Sequence, residues 1–248
     1  MPATHPLSVQ LYSFRHVSPP DRPAVLRQLR EAGYGAVEPF GHPDSAPRLR
    51  EELGAAGLEV SSLHGSPQRH GLDRVAGSAR TLGTDTIIVP SVDHSRWRDR
   101  AGVEGLAAEL NELAAGAAEQ GLRIGYHNHD FEFSPLGDGT ALEVLAGSLA
   151  PEVVLELDTY WAAVAGQDVP ALVARLGDRV RYLHLKDGPA DDRTAPMTAL
   201  GRGRMPIGEI LAAGGGVEWN VVELDECATD MLDAVVESAA WLRDRALA

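Results

Sequence analysis

Only one cysteine is present, Cys227, so no intramolecular disulfide framework can form, and a reducing cytoplasm is the simplest setting. No run approaches the ~18 consecutive apolar residues of a membrane-spanning helix. The opening stretch MPATHPLSVQLYSF carries neither a basic segment nor an apolar segment of secretory-signal type. Positive charge is scarce: 22 Lys and Arg stand against 36 Asp and Glu, a formal net charge of −14. That balance disfavours a polyanionic partner, so neither nucleic acid nor an acidic membrane surface is expected. Low-complexity segments and interdomain linkers are also missing. A soluble, single-domain protein over residues 1–248 is the expectation.

What is present reads as a repeated β/α alternation. Hydrophobic residues make up 44% of 248 residues, enough for a sizeable core. Short apolar runs at 7–13, 35–40, 58–65, 84–90, 122–128, 153–158, 180–187 and 219–225 read as strands. Segments of helical period separate them, and one more closes the chain. Asp21 with Pro23 and Gly33 mark the first helix, and an Ala- and Glu-rich segment near 99–120 is the longest. Eight strands and eight helices in a chain of this length predict a (β/α)₈ barrel of the TIM type. The irregular stretch 187–206 is long for a βα loop and reads as a lid or substrate loop.

Several of these strands end on metal-competent side chains. VVLELD ends on Asp158, VRYLHLKD carries His184 and NVVELDE carries Glu223, while LRIGYHNHDFEF carries His127, His129 and Glu132. From His127 to Asp158 is 31 residues, from Asp158 to His184 is 26, and Glu223 follows 39 later. Each interval is about one β/α unit, which places these groups at the C-terminal rim where active sites of such barrels lie. Side chains two apart share a strand face, so Glu156 falls below Asp158, Lys186 beside His184, and Asp225 beside Glu223. Asp, Glu and His without thiolate suit Mn²⁺, Mg²⁺, Co²⁺ or Zn²⁺. Such an ion polarises a carbonyl and stabilises an enediolate. Lys186 either neutralises oxyanion charge or pairs with Glu156. His64 at the end of the third strand, with Trp161, Phe14 and Glu38, are further candidates for substrate contact. Arg202 and Arg204 in GRGR form a weak phosphate motif, and His5, His16, His42, His70 and His94 read as surface residues.

YHNHDFEF (126–133), ELDTYWAAVAG (156–166) and HLKD (184–187), in that order, resemble the xylose isomerase-like (AP endonuclease family 2) barrels, and the resemblance covers nearly the whole chain. It implies a divalent metal, Mn²⁺ first, held at the ends of strands five to eight, with Asp158, His184 and Glu223 as ligands from the last three. Many members carry a glutamate where His127 stands. The fourth ligand is then His127 or a Glu132 that reaches back, although strand parity puts Glu132 on the other face. The implied activity is a metal-dependent sugar, sugar phosphate or polyol isomerase or epimerase, with His127, Lys186 and Glu223 catalytic and His64, His129 and Trp161 contacting substrate. The imidazole at strand five weakens a two-glutamate epimerase and keeps open a lyase acting on a keto-sugar or keto-inositol. An abasic-site endonuclease fits poorly with the net charge, and a non-catalytic barrel fits poorly with so many retained polar groups. A homodimer is the oligomer the resemblance suggests.

Overall fold

Strands that are apolar on both faces need covering twice, and a parallel sheet rolled into a barrel does this with helices outside and packed side chains inside. In the computed structural model, which describes residues 6–245 (His5 lies outside them), nine parallel strand segments form one sheet. They are β1 (Leu7–Gln10), β2 (Ala36–Glu38), β3 in two pieces (Glu59–Val60 and Leu63–His64), β4 (Thr86–Val89), β5 (Arg123–His127), β6 (Val154–Asp158), β7 (Val180–Leu185) and β8 (Trp219–Val222). The first piece of β3 pairs with β2 and the second with β4, while β8 pairs with β1. The barrel therefore closes through the break at Ser61 and Ser62. The eight staves expected from the sequence are present, one of them interrupted.

Helices α1 (Arg22–Glu31), α2 (Ala46–Ala56), α3 (Leu72–Leu82), α4 (Arg100–Ala118), α5 (Ala141–Ser148), α6 (Val169–Leu176), α7 (Ile207–Ala213) and α8 (Met231–Asp244) follow the strands in turn. Their starts have local causes. Thr140 and Glu143 form a reciprocal capping box at α5, and Asp230 accepts from two amides at the head of α8. No helix among the described residues is long and apolar enough to cross a membrane.

Two expectations need correcting. The first strand stops at Gln10, whose Oε1 accepts from the Tyr12 amide and turns the chain into a 3₁₀ segment, Leu11–Phe14. Phe14 is thereby buried in the core. The long 187–206 segment is pinned. Asp187 accepts from the backbone amides of Gly188, Gly201, Gly203 and Met205 at 2.8–3.1 Å. The amides of the GRGR stretch thus already hold an anion of the chain's own. Arg202 pairs with Glu237 and Arg204 with Asp191 at the surface.

The barrel interior is layered. At the floor, Arg123 donates to both oxygens of Glu218 at 2.9 and 2.7 Å, and to Thr86 and Tyr182. Above it Ile88, Val154, Tyr182 and Val221 form a separate buried apolar cluster. Gly125 lies in this layer, where a Cβ would stand 2.4 Å from Ile88 Cδ1 and 3.0 Å from Val154 Cγ2. The apolar plug seals the polar mouth from below.

Gly125→Ala is expected to cost ~1–3 kcal/mol by overpacking, read as a lower denaturant midpoint at unchanged slope. The Glu218 carboxyl is held below its usual range by the hydrogen bonds from Arg123. Its stabilisation is therefore complete above the unfolded value, about pH 4.3, and is lost as pH falls through the lower folded value. The pair is partly solvent-screened, so Glu218→Gln should remove only ~0.5–1 kcal/mol at pH 7, and a smaller amount as pH falls below the unfolded value to pH 3. Equal losses at both pH values would contradict this.

Candidate active site

Strand parity brings the chemistry to one place. Inward positions on the upper staves are Gln10, Glu38, His64, His127, Glu156, Asp158 and His184, and Lys186 and Glu223 follow just beyond β7 and β8. All nine are buried. Asp158 is fixed from three sides. Its Oδ1 accepts from the Trp161 amide, 3.0 Å away, and so caps a short helix, Thr159–Val164, that begins directly after β6. The Asn128 side chain brackets its main chain, accepting from Asp158 N and donating to Asp158 O at 3.0 and 3.2 Å.

The groups form two layers. In the outer layer Lys186 Nζ lies 2.8 Å from Asp158, 2.7 Å from Glu223 and 2.7 Å from Asp225. His184 Nδ1 is 2.8 Å from Glu223. In the deep layer His184 Nε2 is 2.7 Å from Glu38, and His64 Nε2 is 2.6 Å from Glu156 and 3.2 Å from Glu38. His127 Nδ1 is 3.0 Å from Glu156, while its Nε2 faces Asp158 at 3.8 Å. Gln10 and Ser62 donate to the two Glu38 oxygens.

Burial and charge pull against one another throughout. Burial pushes the Lys186 ammonium down, but Asp158, Asp225 and Glu223 outweigh it and hold the lysine charged, well above its usual value. Burial pushes Glu223 up, and Lys186 and His184 more than reverse this, keeping it well below the carboxylate range. At Glu38 burial wins, with help from the Glu156 charge, and the pKa rises. At His127 burial also wins, and the imidazole is held neutral.

One donor atom each from His127, Asp158, His184 and Glu223 lie within 4.8 Å of one another. A single divalent ion at ~2.0–2.3 Å from its ligands spans such a set. Asp158 Oδ2 is buried without an aligned hydrogen bond, although Lys186 Nζ is close. An imidazole–carboxylate set with a spare buried oxygen fits a hard or borderline cation.

A model of the xylose isomerase-like TIM barrel matches residues 26–245. The chain belongs to the xylose isomerase-like TIM barrel family. It is 27% identical to an inosose dehydratase of Mesomycoplasma hyopneumoniae over 66% of this chain and 61% of that protein. It is also 27% identical to a 2-epi-5-epi-valiolone 7-phosphate 2-epimerase of Actinoplanes over 71% and 68% of the two. The chain spans about three fifths of the length of several curated relatives it matches. A sugar phosphate isomerase/epimerase structure from Parabacteroides distasonis superposes with a TM-score of 0.82 over 97% of this chain and 94% of its own, at 25% identity.

Within this xylose isomerase-like barrel, the structure brings Asp158, His184 and Glu223 together and adds His127 to them. Glu132 does not join. Its Oε1 accepts from the Tyr126 hydroxyl at 3.0 Å and its Oε2 from the His129 amide at 2.8 Å. Tyr126 lies on the outward parity of β5, so its partner is held behind the stave, away from the mouth. Lys186 pairs with Asp158, Glu223 and Asp225, and Glu156 turns to the imidazoles instead. His64 reaches into the deep layer rather than only edging the rim, and it also borders a cleft of about 370 Å³ with Tyr12, Phe40 and Arg69. His129 is half-buried with its ring 5.1 Å from that of His127. The Trp161 ring centroid lies 5.6 Å from Lys186 Nζ. Asn128, Gln10 and Ser62 were missed from the sequence. Nothing in their residue types announces a role, and only the YHNHD context hinted at Asn128.

Glu132→Gln is expected to leave Mn²⁺ binding unchanged while lowering stability by ~1–3 kcal/mol through its disturbed buried hydrogen bonds. Asp158→Asn is expected to weaken Mn²⁺ binding at least tenfold. Calorimetric titration with paired thermal melts separates the two, and tighter dependence on Glu132 than on Asp158 would reverse the assignment.

Proposed function

We propose that this chain removes a proton from the carbon next to a carbonyl in a polyhydroxylated, sugar-like substrate. The resulting enediolate is then reprotonated, as in an isomerase or epimerase. The observation that carries this is the outer layer, where a buried, charged Lys186 and the Asp158–His184–Glu223 set share one mouth. Asp158, His184 and Glu223 would hold a divalent ion, Mn²⁺ first, and when bound it would polarise the carbonyl and stabilise negative charge on its oxygen. Glu223, ionised at the rim, offers an oxygen to take the proton. Lys186 offers N–H donors to the developing oxyanion, a role worth ~10²–10³ in rate for a well-placed donor. His127, neutral in its buried setting, exchanges one proton through Nε2, the ring atom facing Asp158. His64, His129 and Trp161 shape the space around the substrate.

A specific observation favours elimination as the second reading. At strand five an imidazole stands in place of a carboxylate, so the two proton-handling groups differ in kind. A neutral imidazole that takes up a proton at Nε2 becomes an imidazolium able to pass it to a departing hydroxyl, which suits dehydration. An epimerase and a dehydratase both stand among the similar proteins, and proton removal beside a carbonyl is a first step open to either.

Incubating the Mn²⁺-loaded protein with ketoses and keto-glycosides in D₂O should place deuterium at one carbon next to the carbonyl, read by NMR. Exchange without net loss of water supports isomerisation, and release of water supports elimination. Lys186→Met is expected to lower kcat by ~10²–10³. Wild-type activity in that variant, or no exchange with any such substrate, would end the proposal.

A further inference from the structure

The deep layer is a second donor set, built around Glu156, to which the proposed function gives no role. His64, His127, Glu156 and His184 also present donor atoms within 4.8 Å of one another, all on buried residues. His64 Nε2 and His127 Nδ1 converge on Glu156 Oε2 at 2.6 and 3.0 Å. The other oxygen, Glu156 Oε1, is buried with no hydrogen-bond partner. We infer that a second divalent cation binds here, below the first, with His64, His127 and Glu156 as its ligands.

The two sets divide without competing for atoms. His184 turns Nδ1 toward Glu223 in the outer layer and Nε2 toward Glu38 in the deep one. It can therefore ligate the outer ion while donating its second N–H to Glu38, the carboxylate–imidazole pairing that commonly orients a metal-bound histidine. His127 turns Nδ1 toward Glu156 and Nε2 toward Asp158. Ligation through Nδ1 leaves its Nε2–H aimed at the mouth as a hydrogen-bond donor.

The charge of the mouth admits a further cation: the buried carboxylates Glu38, Glu156, Asp158 and Glu223, with the partly exposed Asp225, stand near one permanent cation, Lys186. The deep set is the softer one, two imidazoles and a carboxylate, a composition that suits Zn²⁺ or Co²⁺ with a position left open. The outer set has two carboxylates and one imidazole and suits a harder ion.

The inference concerns residues separate from Asp158 and Glu223, so its test can fail independently of the proposed function. The chelator-stripped full chain is titrated with Zn²⁺ by calorimetry, with metal content after desalting and the visible absorption of Co²⁺ as second readouts. Two ions per wild-type chain are expected, and one in each of His64→Asn, Glu156→Gln and Asp158→Asn, with circular dichroism confirming that each is folded. The visible Co²⁺ absorption should fall in the His64 and Glu156 variants and persist in Asp158→Asn. Should Glu156→Gln fail to fold, His64→Asn carries the same measurement. One ion per wild-type chain, lost only in Asp158→Asn, would overturn the deep site and leave the proposed active-site ion standing. Two ions retained in both deep variants would overturn it as well.

Discussion

Everything in this barrel is arranged around buried negative charge. Glu38, Glu156, Asp158 and Glu223 are almost wholly removed from solvent, a position from which an unpaired carboxylate would be driven to take up a proton. Contact with imidazoles and one ammonium at 2.6–3.2 Å opposes this and keeps Glu156 and Glu223 ionised, while burial still raises Glu38 and Asp158. The lower barrel answers this need by being ordinary. An apolar layer of Ile88, Val154, Tyr182 and Val221 shuts water out from beneath and removes any alternative partner. The polar mouth is stable only as a complete network, and most of its members stand on rigid strands, with Lys186 and Glu223 directly after two strand ends.

That rigidity also explains how far-apart segments act as one site. Register carries His127 level with Glu156 and His184 level with Asp158 across neighbouring staves. A side chain two residues further along a strand sits roughly one layer higher, so Glu156 and Asp158 serve different layers from a single stave. His184 joins the layers by using both ring nitrogens. A lysine at 186, one layer above His184, arrives beside three carboxylates and stays charged. The departure at strand five has a clear consequence: His127, unlike a carboxylate, contributes donor capacity without adding charge, in a mouth already crowded with negative groups.

Much of the fold was legible because it rests on local periodicity. Runs such as TIIV and VLELD, spaced by segments of helical period, leave few alternatives to a parallel barrel, and α1 and α4 fall close to their expected positions. Where tertiary contacts decide, local pattern misled. Leu11–Ser13 reads as continued strand, yet the Gln10 side chain supplies a turn, and LEVSSLHG reads as one strand although Ser61 and Ser62 break it where the barrel closes. The GRGR stretch resembled an anion site because its amides are free in sequence terms. Only the fold shows that Asp187 already occupies them.

The identity of the site-forming residues was therefore present in the chain itself: Asp158, His184, Lys186 and Glu223 follow from strand ends, parity and unit spacing. The partners were not. Whether Lys186 meets Glu156 or Asp158, whether Glu132 or His127 completes the set, and whether His64 reaches the deep layer depend on register between staves and on which way a turn carries a side chain. Those are relations across tens of residues, set by barrel closure and close packing. Sequence periodicity records which face a residue takes on its own strand, but contains no measure of its height relative to the next one.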